Sequence, residues 1–253
     1  MSSAPKSTDD ATVIIQARMG STRLPGKSMA LLGSHPVIDW VTTRALMAAS
    51  VSTVIVATST NPEDDVLAEH IEQRANPSVR VVRGSASDVL ARFVLALDEV
   101  DSDYVVRVTG DCPFVQPTLI DSALETAAGI EYVATDPDGR FPRGFDVEAV
   151  HRSALLTADA EAVDPLEREH VTPFIVRRPE RFASAPLLCP EWARHPELRI
   201  TLDEQADLDL LQTVVSELGA TPETLEGPAV LELLVSRPDL VAINRSVHHN
   251  IVK

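Results

Sequence analysis

Cysteine is scarce in this chain: 253 residues carry two, Cys112 and Cys189, far apart and in no Cys-x-x-Cys pair. That pattern excludes a disulfide framework and gives a zinc site no support. Long apolar runs are missing too. Nothing approaches the roughly eighteen consecutive apolar residues of a spanning helix, so no membrane segment is expected. The first ten residues are polar and lack the apolar core of a secretory signal, which points to a frayed N-terminus over residues 1–10 and a cytoplasmic protein. Positive charge is in short supply: 22 Lys and Arg stand against 38 Asp and Glu, for a net charge of −16. This balance argues against binding a nucleic-acid backbone. It leaves room for a small anion at a local basic loop, and otherwise serves solubility. Internal repeats, low-complexity tracts and linkers are absent, so one domain over residues 11–253 is the simplest organisation.

What is present concentrates in Val13–Lys27, reading VIIQARMGSTRLPGK. A short apolar strand runs into a loop with two glycines, hydroxyls, two arginines and a lysine. Glycine lets a backbone approach phosphates closely, a turn can aim N–H groups inward, and the cations offset the charge. A P-loop has four residues between its first glycine and its Gly-Lys-Ser/Thr end. Here five residues separate Gly20 from Gly26, and one is Pro25, which has no N–H to contribute. No good helix pattern follows Lys27 until His35-Pro36, so the P-loop is set aside.

Through the first half, β-branched apolar runs alternate with helical patterns. Strands are expected at 12–16, 53–58, 79–82 and 104–108, and helices at 36–49, 62–74 and 88–100. In the last of these, Val89, Phe93 and Leu97 form one stripe. Alternation of this kind predicts an α/β fold with a mixed, mostly parallel sheet flanked by helices, and ligands at the carboxyl ends of the strands. The second half is less regular. It offers a helix at 119–128, strands at 132–135 and 145–150, a loop at 136–144, and a helical stretch at 165–176 broken near Pro173. A strand at 198–202 and helices at 203–218 and 228–236 complete the reading.

Three further clusters could carry chemistry. In Arg107-Val108-Thr109-Gly110-Asp111-Cys112-Pro113, an aspartate follows a strand that proline cannot continue. Such a carboxylate suits Mg²⁺, which favours oxygen ligands and keeps several waters, and equally suits a turn or a helix cap. In Arg199-Ile200-Thr201-Leu202-Asp203, a second strand-end aspartate precedes a helix. A simple cap is the competing reading, although Ala206 stands where a capping box wants Glu or Gln. The third cluster pairs Phe141-Pro142-Arg143-Gly144-Phe145-Asp146-Val147-Glu148 with Arg168-Glu169-His170-Val171-Thr172-Pro173. Arg143 and Arg168 could hold an anionic acceptor, and His170 could act as a base or simply satisfy a buried partner.

Together these segments, in this order over about residues 12–212, resemble the cytidylyltransferases that activate sugars and sugar acids. The spore-coat polysaccharide subgroup is the most similar. The resemblance implies a glycosyltransferase-A-like nucleotide-binding fold, CTP, Mg²⁺ and a homodimer. Carried over residue by residue, Arg18, Ser21, Arg23 and Lys27 would bind the triphosphate, with Ala17 and Gly20 also nucleotide-binding. Ser59 and the Arg83-Gly84-Ser85 turn would lie near base and ribose. Asp111 and Asp203 would hold the metal, with Arg18, Lys27 and Asp111 catalytic. Arg143, Asp146, Arg168 and His170 would face the acceptor, whether a sugar, a sugar acid or a small phosphate or phosphonate. Octulosonate enzymes usually carry Gly-Asp-Glu-Pro where this chain has Gly110-Asp111-Cys112-Pro113, which leaves the acceptor open. Two alternatives stand: a glycosyltransferase using a nucleotide sugar, weakened because Pro113 replaces the second acid of an Asp-x-Asp motif, and a non-catalytic nucleotide-binding protein.

Overall fold

The computed structural model describes residues 10–135 and 139–247. The segment expected to fray at the N-terminus, apart from Asp10, and residues 136–138 of the expected loop lie outside the described residues.

Strand β1 (Ala11–Gln16) is followed by a small antiparallel ladder of β2 (Leu31–Leu32) and β3 (His35–Pro36), then α1 (Val37–Leu46), β4 (Val51–Ser59), α2 (Asp65–Gln73), β5 (Val79–Gly84), α3 (Val89–Leu97) and β6 (Tyr104–Thr109). After α4 (Pro117–Thr126) come β7 (Tyr132–Ala134), β8 (Glu148–His151), α5 (Arg152–Glu161), α6 (Pro165–His170), α7 (Pro173–Val176) and β9 (Ser184–Pro186). Three helices end the described chain: α8 (Gln205–Leu218), α9 (Gly227–Ser236) and α10 (Pro238–Val241). The large sheet has the order β5-β4-β1-β6-β8-β7-β9. Its first four strands are parallel, β8 runs antiparallel to β6 and β7, and β9 is parallel to β7.

Both faces of this sheet are covered, which is why its strands read as nearly continuous apolar runs. Val13, Ile15, Val54, Val56, Val106 and Val108 pack on one side with Trp40, Ile120, Leu211 and Val230. Their neighbours Ile14, Ile55, Ala57, Val105 and Val150 pack on the other with Phe93, Leu97, Leu155 and Phe174. The chain leaves β1 toward β4 and β5, then crosses back to lay β6 on the opposite side of β1. That reversal makes a crevice at the carboxyl ends of β1 and β6, where open α/β sheets bind ligands.

The expected elements appear with their ends shifted, the first four strands running longer and most helices shorter, apart from one strand. Residues 198–202 do not join the sheet; they run as an extended strap with a single bridge, Arg143 to Arg199. Its bonds go to loops instead: Arg143 N to Leu198 O (3.1 Å), Ile200 N to Arg143 O (2.8 Å) and Leu202 N to Asp111 O (2.8 Å). Gly144, at φ +113°, makes this close passage possible, because a Cβ there would lie 2.7 Å from the Ile200 carbonyl carbon and oxygen. Among the described residues, no helix is long and apolar enough to cross a membrane.

Candidate active site

The loop after β1 is organised by its own backbone. Ser21 N and Gly26 N both donate to Met19 O at 2.9 Å, Leu24 N donates to Ser21 Oγ at 3.3 Å, and Ser28 Oγ donates to Arg18 O at 3.2 Å. Gly26 sits at φ +76°, and Lys27 opens one 3-10 turn rather than an α-helix, so the P-loop geometry is absent. Buried Asp64 ties this loop to the end of β4: it accepts from Met19 N at 2.6 Å, from Ser59 N at 3.2 Å and from Ser59 Oγ in a short bond. Ala17 is buried beside Ala57, Gly20 lies against the Glu63 carboxylate, and Arg18 is exposed. Ser85 is exposed on the turn before α3, its hydroxyl accepting from Asp88 N at 3.1 Å. Beneath them Arg92 is buried, with Nη1 donating to Ala57 O at 3.1 Å and Nε unpartnered. Burial and then the like charge of Arg18 lower its pKa, against the pull of Asp64 and Asp88.

The two sequence-distant acids meet at Lys27. Its Nζ donates to Asp111 Oδ2 at 2.8 Å, to Asp203 Oδ1 at 3.0 Å and to Leu202 O at 2.7 Å. Burial alone would lower the lysine pKa, but the charges and hydrogen bonds of Asp111 and Asp203 raise it. Asp203 also receives Arg23 Nη2 at 2.9 Å and Arg199 Nη2 at 2.8 Å. Burial pushes its carboxyl up, yet Lys27 first, then Arg199 and Arg23, bring it down to about 2. Asp203 is free for this because α8 is capped one residue later than the sequence suggests. Glu204 is the N-cap, and Asp207, three residues on, accepts from Glu204 N at 3.0 Å and Asp203 N at 2.9 Å. Arg199 and Asn244 in turn pin Asp207. The remaining Asp111 oxygen accepts from Thr109 Oγ1 at 2.5 Å. No group of three or more His, Cys, Asp or Glu is placed to hold a metal ion among the described residues. The donor set is instead two carboxylates and a carbonyl already converging on one cation, which fits a hard divalent ion completed by other oxygens.

On the β8 side, Asp146 accepts from Gly144 N at 2.9 Å and lies 3.9 Å from Arg143 and 3.7 Å from the Cys112 thiol. Burial raises its pKa against Arg143 and the Gly144 N–H. Arg107 donates from Nε to Gln16 Oε1 at 3.1 Å and from Nη1 to Glu148 Oε2 at 2.6 Å. Glu148 also accepts from Tyr132 Oη at 2.8 Å and Thr172 Oγ1 at 3.2 Å. Between His170 and Thr172, buried Val171 has φ +73° and ψ −60°, and Thr172 N bonds His170 O at 2.9 Å. This is a strained γ-turn on a β-branched residue, breaking the helical stretch two residues before Pro173. Burial lowers the His170 pKa, and Glu169 opposes it. Arg168 is tied to Asp88, the N-cap of α3, at 2.5 Å and to Asp159 at 2.6 Å, so its guanidinium already has two acids of its own.

A family model matches most of this chain. The model described as Cytidylyltransferase covers residues 12–224. This chain belongs to the cytidylyltransferase family. The family makes it a nucleotidyltransferase that uses CTP, which decides against both the glycosyltransferase and the non-catalytic readings. The spore coat polysaccharide biosynthesis protein SpsF of Bacillus subtilis is 32% identical over 91% of this chain and 96% of its own. A solved cytidylyltransferase from Leptospira borgpetersenii superposes with a TM-score of 0.84 at 28% identity, covering 94% of this chain and 99% of that one. The structure of CMP:2-keto-3-deoxy-manno-octonic acid synthetase complexed with CTP shares the fold, with a TM-score of 0.56 at 18% identity over 83% of this chain and 99% of that one.

Sequence reasoning did not single out Asp64, Arg92, or the pairing of Arg107 with Glu148. The last two residues stood inside quoted motifs. The strand register that sets Arg107 directly across from Glu148 was not visible in either motif.

Proposed function

We propose that this cytidylyltransferase transfers CMP from CTP to a small acceptor and releases pyrophosphate. The observation that carries the reading is the meeting of the cationic loop with Asp111 and Asp203 at one point. In this reading Arg18, Ser21, Arg23 and Lys27 hold the triphosphate, with Ala17 and Gly20 letting it approach the backbone. Ser59, Ser85 and Arg92 line the nucleoside side. Asp111 and Asp203 hold Mg²⁺, which supplies charge neutralisation across the phosphates and orients the reacting one. Little covalent chemistry is asked of the chain; Lys27 and Arg18 offset charge developing on the leaving pyrophosphate, and the loop fixes the line of attack.

The acceptor takes the β8 side, where Arg143, Asp146 and His170 stand beside the Arg107–Glu148–Thr172 network. A neutral His170 near pH 7 accepts a hydrogen bond or a proton from an acceptor hydroxyl; an ionised phosphate or phosphonate needs no base. Arg168 acts by fixing α6 to the start of α3. We place the enzyme in the cytoplasm as a homodimer, its residues 11–253 forming one catalytic domain. The test incubates the protein with each nucleoside triphosphate, Mg²⁺ and a panel of sugars, sugar acids, phosphates and phosphonates, and measures pyrophosphate. Release with CTP supports the reading, and release with UTP or GTP only overturns it.

A further inference from the structure

We infer that Lys27 is the resident counter-cation of the Asp111–Asp203 pair, so that a divalent ion enters only with the nucleotide and in exchange for the lysine. The inference rests on the function proposed above and adds an order of binding to it.

The three N–H donors of an ammonium group are all used by Lys27: Asp111 Oδ2 at 2.8 Å, Asp203 Oδ1 at 3.0 Å and Leu202 O at 2.7 Å. The other oxygens of the two acids are also occupied, by Thr109 Oγ1 and by Arg199 Nη2. A divalent ion bound by both carboxylates needs the space that Lys27 Nζ fills, and a divalent and a monovalent cation held that close in a partly buried site repel strongly. Nor does the chain offer enough to an ion arriving alone, since no third acid joins the pair among the described residues. Mg²⁺ bound through one or two carboxylates ordinarily completes its shell with water and substrate phosphates.

A triphosphate resolves both problems at once. Its oxygens complete the ion's shell, and its charge gives Lys27 and the exposed Arg23 somewhere else to go. Arg23 lies on the same Asp203 oxygen as Lys27, at 2.9 Å, so both cations face the exchange. Arg199, held by Asp207 on its other side, stays and keeps Asp203 in place. Linkage then demands reciprocity: whatever factor the nucleotide adds to ion affinity, the ion adds to nucleotide affinity. Removing the lysine charge should shrink that factor by letting an ion in early.

The test titrates Mn²⁺, followed by electron paramagnetic resonance of the free ion, into wild type, Lys27→Met, Lys27→Gln and Lys27→Met/Asp111→Asn, with and without α,β-methylene-CTP. Wild type should bind Mn²⁺ weakly alone and far more tightly with the analogue. Both single variants should gain at least about tenfold in nucleotide-free Mn²⁺ affinity, a gain that the double variant loses. Mn²⁺ should also raise the melting temperature of the single variants and leave that of nucleotide-free wild type unchanged. Single variants that unfold cooperatively yet bind nucleotide-free Mn²⁺ as weakly as wild type overturn the exchange while leaving the proposed function standing. Wild type that fails to bind the analogue with Mn²⁺ overturns both.

Discussion

At the β1–β6 crevice three cations, Lys27, Arg23 and Arg199, press on the single carboxylate of Asp203, and Lys27 is shared with Asp111. On the β8 side the partners are matched more evenly, with Arg107 on Glu148 and Arg168 between Asp88 and Asp159. The first arrangement holds positive charge in contacts that an incoming polyanion can take over. The second consists of two separate sets whose members already satisfy one another, suited to holding shape. In the proposed reading, nucleotide chemistry and acceptor recognition therefore sit in two electrostatic settings on neighbouring strands.

The largest effect should come from the first setting. Lys27→Ala removes one electrostatic contact from the transition state, and kcat should fall about 100- to 1000-fold in a pyrophosphate assay. A turnover within fivefold of wild type would erase the contrast. Arg107→Met should act in the other currency. It leaves the partly buried Glu148 without its cation and should cost about 2–3 kcal/mol of stability by urea unfolding, while binding of α,β-methylene-CTP stays unchanged. Arg168→Gln, on a half-exposed pair of contacts, should cost roughly 1 kcal/mol by the same measurement. The smallest effect concerns pH. The pKa of His170 lies below its ordinary 6.5 in the folded chain because of burial, so its contribution to stability is complete above 6.5 and is lost as pH falls through the folded value. Acceptor KM should be flat from neutral pH down to that region and rise below it, and His170→Gln should remove the inflection. An inflection above 6.5 would contradict the burial argument.

The parallel half was legible because β1, β4 and β6 are buried on both faces and the covering helices carry apolar stripes, as Val89, Phe93 and Leu97 do in α3. The position of Asp111 just past β6 was legible for the same reason, whereas Asp203 was legible from the helical pattern of α8 that follows it. The 198–202 segment misled because an apolar run predicts burial, not hydrogen-bond partners. Its residues are buried against loops and never paired as a strand. Helix α5 carried a readable pattern in Ala154, Leu155 and Ala158 that went unused, whereas β9, three residues ending in Pro186, offers no periodicity. The engagement of Arg168 by Asp88 and Asp159 is a tertiary fact that local sequence does not encode, and the strained Val171 turn would read as an ordinary helix residue.

The strap that delivers Asp203 has a consequence for how the enzyme comes into being. Every strand of the large sheet is complete by Pro186, yet the second acid arrives afterwards, fastened by Leu202 N and Thr201 Oγ1 to the carbonyl of Asp111 itself. During synthesis the nascent polypeptide can thus assemble its whole β-scaffold while still lacking half of its acidic pair. On the proposed reading, competence is conferred last, by a segment that leaves the ribosome and docks after the sheet is complete.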